Sequence, residues 1–207
     1  MLHCINMEAK TTENQEETRA RILDAAEARF RTYGYGKTTM AEIATDVGMS
    51  AANLYRFFEN KLDIGAALAQ HCFAEREKAI LEVVNAPESS AAEKLQGFVL
   101  TILRHTYGQF SAEPKINQLV ETIITRRQDL VQKKIERDQE LVIEILRQGQ
   151  ASGEFDIDDL VSTAEAVRNA TVKFCMPLFM HMYPLEEFER MANEVVQLLL
   201  KGLIKHK

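Results

Sequence analysis

The sequence predicts an all-α protein, and three observations carry that prediction. Glycine (9) and proline (4) are scarce in 207 residues. Ala, Leu, Glu, Gln and Lys, all good helix formers, are abundant. Apolar residues recur at helical spacing in most segments. Hydrophobic residues make up 46% of the chain, enough to build a core and to argue against global disorder. Such a length allows one large domain, or a small one joined to a larger.

Residues 1–17 are polar and aperiodic and are expected to form a disordered or frayed arm, with Met7 a second candidate for the first residue. From Thr18, Ile22, Ala26, Phe30 and Tyr33 form a helical stripe that stops at Gly34-Tyr35-Gly36. Thr39 opens a short helix, with Glu42 three residues on completing a capping box. Met40, Ile43, Ala44 and Val47 form its buried side. Gly48 ends it where positive φ favours glycine. Ser50 caps the next helix, expected to run to about Phe58.

Longer helices are expected beyond Lys61: about 60–83, 90–109 (with a Ser90/Glu93 capping box), 114–127, 130–150, 159–181 and 185–203. "NAPESS" and "ASGEFDIDD" separate some of them. The division expected is a small helical unit over 18–63 and a larger helical domain over 64–207.

A short helix, a glycine turn and a second capped short helix make a helix-turn-helix. Ala44, Gly48 and Leu54 stand in Ala-x3-Gly-x5-Leu spacing, and Val47, Met49 and Leu54 would fill the small core. The helix over 22–33 must then supply its floor. The tip of the second helix is nearly bare. Ser50, Ala51 and Ala52 let its backbone approach a major groove, and Asn53 could bond a base edge or a phosphate. Tyr55 and Lys61 would flank the groove with a phenol and an ammonium, and Arg56 would reach base or phosphate. Charge distribution agrees: in a chain of net charge −6, residues 18–61 carry seven Lys/Arg against five Asp/Glu.

The stretch "TRARILDAAEARFRTYGYGKTTMAEIATDVGMSAANLYRFFENKLDI" resembles the N-terminal domain of the TetR family of bacterial transcriptional regulators. The likeness rests on the Ile-Leu-x-x-Ala stripe with Phe30, Gly34-Tyr35, Thr38-Thr39, Ile43-Ala44, Val47-Gly48, Ser50, Leu54-Tyr55, Phe58 and Lys61. It implies a homodimer on a palindromic double-stranded DNA operator, a helical ligand-binding domain, and repression relieved by a small effector. It also implies phosphate contacts from Thr39, Tyr55 and Lys61, with 51–53 and Arg56 facing the bases. Phe57 departs from a frequent family histidine; it cannot donate to a phosphate and is expected to pack on the floor or on a DNA sugar.

The last helix is apolar on more than one face, and the surplus needs a partner. The resemblance implies that the last two helices of each subunit form the dimer bundle, with Val161, Arg168, Met191, Val195, Leu198 and Leu199 as candidates. Polar or soft residues on otherwise apolar stripes are candidates for an effector pocket: Phe98, Ile102, His105 and Thr106 on one helix, Thr171, Phe174 and Cys175 on another. Such a cleft suits a small, largely apolar effector.

Enzymatic function is disfavoured. No Glu-x-x-His pair, phosphate loop, zinc spacing or Gly-x-Ser-x-Gly occurs. No cofactor or metal is expected. Three scattered cysteines suggest a reducing compartment, and with no apolar run of ~18 residues the cytoplasm is expected. A helical protein-interaction module, or an activator with the same helix-turn-helix, is the alternative.

Overall fold

The computed structural model describes residues 2–111 and 114–204. Nine α-helices form among them: α1 (Leu2–Tyr33), α2 (Met40–Asp46), α3 (Ala51–Leu54), α4 (Lys61–Val84), α5 (Ala91–Phe110), α6 (Asn117–Arg126), α7 (Gln128–Ser152), α8 (Leu160–Thr171) and α9 (Leu185–Leu203). The only extended pairing among these residues is an isolated bridge, Phe155 to Ile204. No described helix is long and apolar enough to cross a membrane.

Local signals set most boundaries. Gly34 (φ 91°) follows α1, Gly48 (φ 72°) follows α2 and Gly153 (φ 76°) follows α7. Capping boxes start α2 and α5, where the side chains of Thr39 and Ser90 each accept from the backbone N–H three residues on. At α5 the Glu154 carboxylate adds bonds from Ala91 N (2.8 Å) and Ala92 N (3.0 Å), so four early groups of that helix end are held. Ser50, Asn60 and Asp159 cap α3, α4 and α8.

Three expectations need correction. Residues 2–17 are not a frayed arm but continue α1, since neither Gly nor Pro interrupts the chain from Leu2 to Tyr33. The second short helix is only Ala51–Leu54, and hydrogen-bonded turns carry the chain on to Phe58. The helix expected over 159–181 ends at Thr171 and gives way to 3-10 turns at Val172–Phe174 and Pro177–Phe179. Pro177 explains the failure to resume: its ring pushes Met176 into extended backbone (φ −94°, ψ 116°).

The buried side chains form two clusters. The first joins Ile22, Phe30, Ile43, Leu54, Phe58 and Ile64 to Ile116, Leu119 and Ile123 of the α6 region and Leu130 of α7. The second is built from α5 (Leu95, Leu103), α7 (Val142, Ile145), α8 (Ala164, Val167) and α9 (Phe188, Val196). Each fully buried Leu, Ile or Phe stabilises by about 1.5–3 kcal/mol. Packing of the small N-terminal unit, hereafter the reader, thus runs past residue 63 onto α6, while the second cluster is the core of the body.

Candidate nucleic-acid interface

The reader is assembled from α1 upward. Ile22, Ala26 and Phe30 are fully buried and make the floor beneath Ile43 of α2 and Leu54 of α3. The positive φ of Gly48 turns the chain between α2 and α3, and Met49 N closes the turn on Ala44 O at 2.9 Å. The Ser50 hydroxyl then accepts from Asn53 N at 3.2 Å. Leu54 and Phe58 point inward, which leaves Ser50 and Ala52 exposed and Ala51 and Asn53 half-exposed at the tip. The tip therefore presents short side chains only.

Tyr55 is 52% exposed, and the exposed Arg56 side chain beside it has no ion pair or hydrogen bond among the described residues. Lys37, in the turn between α1 and α2, is likewise exposed, and its side chain has no partner among the described residues. Sequence reasoning missed Lys37; its place between the Gly34 turn and the α2 cap was the available signal.

Other cations are engaged within the reader. Arg19 donates to Phe57 O at 2.9 Å and lies 4.0 Å from the Phe58 ring centroid. Arg21 donates to Val47 O at 3.1 Å, and Arg29 pairs with Asp46 and, at 3.6 Å, with Glu42. Phe57 is half-buried against the first cluster, in keeping with the packing role expected for it.

Lys61 is held in a way the sequence did not indicate, and Thr39 is held in the capping box that it did. The Lys61 ammonium donates to Tyr35 O (2.6 Å) and Thr38 O (2.7 Å) and sits 4.4 Å from the Tyr35 ring centroid. It straps the start of α4 to the α1–α2 turn, with one of its three N–H groups left to meet a phosphate. Burial lowers its pKa, with the Glu42 carboxylate pulling the other way. The Thr39 hydroxyl accepts from Glu42 N at 3.3 Å and donates to Glu42 Oε2 at 2.9 Å. Reaching a phosphate with that proton means releasing the carboxylate. The start of α4 carries Asn60 Oδ1 on Asp63 N (3.0 Å) and an acidic residue in its first turn, so it is less open to anions than its dipole alone implies.

The reader is fastened to the body at several points. Gly36 N donates to Gln118 Oε1 at 2.7 Å, and Lys115 Nζ to Thr32 O at 2.6 Å. Arg31 donates to Gln109 O (3.1 Å) and Gln109 Oε1 (2.8 Å). At the start of α4 the Leu119 side chain packs against the bare Cα of Gly65, where a Cβ would lie 2.7 Å from Leu119 Cδ1.

In the body, Phe98, Ile102 and Phe174 are buried in the second cluster. The hydroxyls of Thr106 and Thr171 turn back onto Ile102 O (2.8 Å) and Val167 O (2.9 Å), and Cys175 Sγ donates to Val172 O (3.1 Å). These groups bond carbonyls of their own helix or turn. His105 is half-buried; burial, then the Arg76 guanidinium, lowers its pKa, and Glu75 opposes. Missed altogether was a buried ionic group. Arg76 of α4 bonds Asp138 of α7 through both Nη atoms, and Lys134 bonds the same carboxylate. Partners 62 residues apart leave no local signal.

Of the candidate dimer residues, Val161 (58%) and Leu198 (71%) are exposed. Met191, Val195 and Leu199 are half-buried against the body core, and Arg168 Nε donates to Gln139 Oε1 at 2.9 Å.

Residues 22–68 match the family model for bacterial regulatory proteins of the tetR family, and residues 91–196 match the tetracyclin repressor-like C-terminal domain. The regulator AcrR of Shigella flexneri is 25% identical over 200 residues, covering 97% of this chain and 82% of AcrR. A regulator structure from Mesorhizobium loti, described as putative and of the TetR family, superposes with a TM-score of 0.75 at 19% identity, over 92% of this chain and 98% of that one. A SmeT–triclosan complex superposes with a TM-score of 0.65 at 18% identity, over 91% of this chain and 92% of SmeT.

Proposed function

The chain belongs to the TetR family of bacterial transcriptional regulators, and on that premise we propose that it is a ligand-responsive repressor, a homodimer that binds a palindromic operator and releases it when a small effector occupies the body. Regulators of this family bind DNA and are not enzymes. Residues 18–63 act as the reader and 64–207 as the effector and dimer domain. One observation carries the reading: a tip of short side chains, Ser50 to Asn53, stands on a rigid floor with exposed Tyr55 and Arg56 beside it.

In this reading Ala51, Ala52, Asn53 and Arg56 face the bases, while Ser50, Thr39, Tyr55 and Lys61 grip the backbone. The exposed Val161 and Leu198 mark the face of α8 and α9 that meets a second copy. Two-fold symmetry would set the readers ~34–36 Å apart or somewhat more, matching successive major grooves. The effector favours a dimer in which that spacing is wrong. A coupling of ~1–3 kcal/mol would lower operator affinity roughly 5–150-fold. The fastening of Gly36 to Gln118 and of Arg31 to Gln109 supports the coupling, because motion in the body moves the reader with it. A fold relative solved as a complex with triclosan supports a small-molecule effector.

Selection of bound duplexes from random DNA tests this. The expected result is a palindrome whose affinity falls log-linearly with salt. A confirmed dimer that enriches no sequence at low salt would remove the reading.

A further inference from the structure

Resting on the reader's binding of duplex DNA, we propose that Lys37 is a further contact to a DNA backbone phosphate, outside the α3 tip, and that Gln118 of α6 is its positioning residue, so that this contact is set from the body. Lys37 is exposed, and its side chain has no ion pair, hydrogen bond or ring contact among the described residues. The backbone that carries it is, by contrast, tied at many points. Gly34 N donates to Phe30 O (3.0 Å) and Thr38 N to Tyr35 O (3.3 Å). The buried Thr38 hydroxyl donates to Gly34 O at 3.0 Å. Lys61 Nζ donates to Tyr35 O and Thr38 O at 2.6 and 2.7 Å, and Gly36 N to Gln118 Oε1 at 2.7 Å. Ordering a turn costs conformational entropy. Here the order fixes the base of one side chain that touches nothing else.

Local charge leaves Lys37 to an outside anion. Glu42, the acidic residue in the first turn of α2, gives its carboxylate to Thr39 N (2.8 Å), to the Thr39 hydroxyl (2.9 Å) and to Arg29 (3.6 Å). Lys37 stands two residues before Thr39, at most about 7 Å away along an extended chain. Its two neighbours on either side of Gly36 and Thr38 are bonded to the Lys61 ammonium through Tyr35 O and Thr38 O. Lys37 thus lies between two residues already proposed to grip the backbone. An ammonium on a flexible stem is a point charge suited to phosphate, and such a contact carries no base preference.

What sets this contact apart is where its support comes from. The α3 tip is held within the reader, by the Ser50 hydroxyl on Asn53 N and by Arg19 and Arg21 on Phe57 O and Val47 O. The turn that carries Lys37 is held from the α6 region, by Gln118 on Gly36 N and by Lys115 Nζ on Thr32 O (2.6 Å) beside it. A Cβ on Gly36 would lie 2.9 Å from both Oε1 and Nε2 of Gln118, so that amide sits directly on this backbone. Drawing α6 away from the reader would therefore release the Lys37 contact and leave the tip in place.

Fluorescence anisotropy of the full-length protein on a duplex selected from random DNA, over a series of salt concentrations, tests this. Lys37→Gln should flatten the slope of log affinity against log salt by about one unit per subunit, and weaken binding by the same factor on every sequence. Lys37→Arg should keep the slope. Gln118→Ala, still folded by circular dichroism, should flatten the slope when Lys37 is present and leave it unaltered beside Lys37→Gln. A merely structural role would not produce that coupling. An unchanged slope with Lys37→Gln, or a changed base preference, would overturn the phosphate contact while the reader stands. Equal effects of Gln118→Ala in both backgrounds would overturn its positioning role. Unaltered protein that binds no duplex would overturn the contact together with the reading it rests on.

Discussion

In the reader, three cations close on backbone carbonyls at its rim: Arg19 on Phe57, Arg21 on Val47 and Lys61 on Tyr35 and Thr38. In the body, a cation is buried against a carboxylate, Arg76 on Asp138, with Lys134 sharing it. The difference follows from size. The reader is too small to enclose an ion, so its charges strap turns and helix ends where water still reaches them. The body is thick enough to enclose one, and there the charge must be matched. Removing a partner should therefore act differently in the two regions.

Asp138→Asn is the harshest way to break the comparison. It leaves two buried cations facing a neutral amide and should cost about 3–5 kcal/mol in denaturant unfolding. Arg21→Gln, which removes only the bond to Val47 O at the rim, should cost no more than about 1 kcal/mol. Equal losses would mean that burial does not distinguish the two sets of charges.

Two glycines allow a finer test. Gly48 in the reader and Gly153 in the body share a positive φ, 72° and 76°, and a Cβ on either would meet nothing within 4 Å. Alanine at each should therefore cost backbone strain alone, roughly 1–2 kcal/mol. Thermal unfolding should register both alike. Operator affinity should fall with Gly48→Ala only, because that turn sets the angle between α2 and α3. A comparable fall from Gly153→Ala would show that the end of α7 is coupled to the reader as tightly as its own turn.

The same contrast decides what was legible in the sequence. The reader's elements follow a local grammar: Thr39 with Glu42, Gly48 and Ser50 are signals within a few residues of the boundaries they set. α9 was legible for the same reason, since Pro184 stands just before its first residue and its stripe is unbroken. Whatever depended on distant partners was not. Lys61 looks like an exposed ammonium until the fold brings Tyr35 O and Thr38 O to it. The sequence offers Thr106 and Thr171 as pocket candidates without indicating that each hydroxyl bonds the carbonyl four residues back. The ionic group in the body and the docking of α6 on the reader join residues dozens of positions apart. Periodicity reports which face of a helix is apolar, never which other helix covers it.

The smallest effects come from two caps with nearly the same chemistry. Thr39 and Ser90 each accept from the N–H of a glutamate three residues on, at 3.3 and 3.2 Å, and each bonds that glutamate's carboxylate at 2.9 Å. Alanine at either position should cost about 1 kcal/mol. Backbone and then hydroxyl bonds hold the Glu42 and Glu93 carboxyls below their usual pKa. A carboxyl lowered in the folded state stabilises above its ordinary pKa and loses that contribution as pH falls through the lowered value. Both caps should therefore weaken together in acid, as NMR titration of the two glutamates would record. Only Thr39→Ala should also weaken operator binding near neutral pH, because only that hydroxyl is proposed to meet a phosphate. If Thr39→Ala and Ser90→Ala leave DNA affinity equally untouched, Thr39 is a cap and nothing more, and the grip on the backbone rests on Lys37, Tyr55, Lys61 and Ser50.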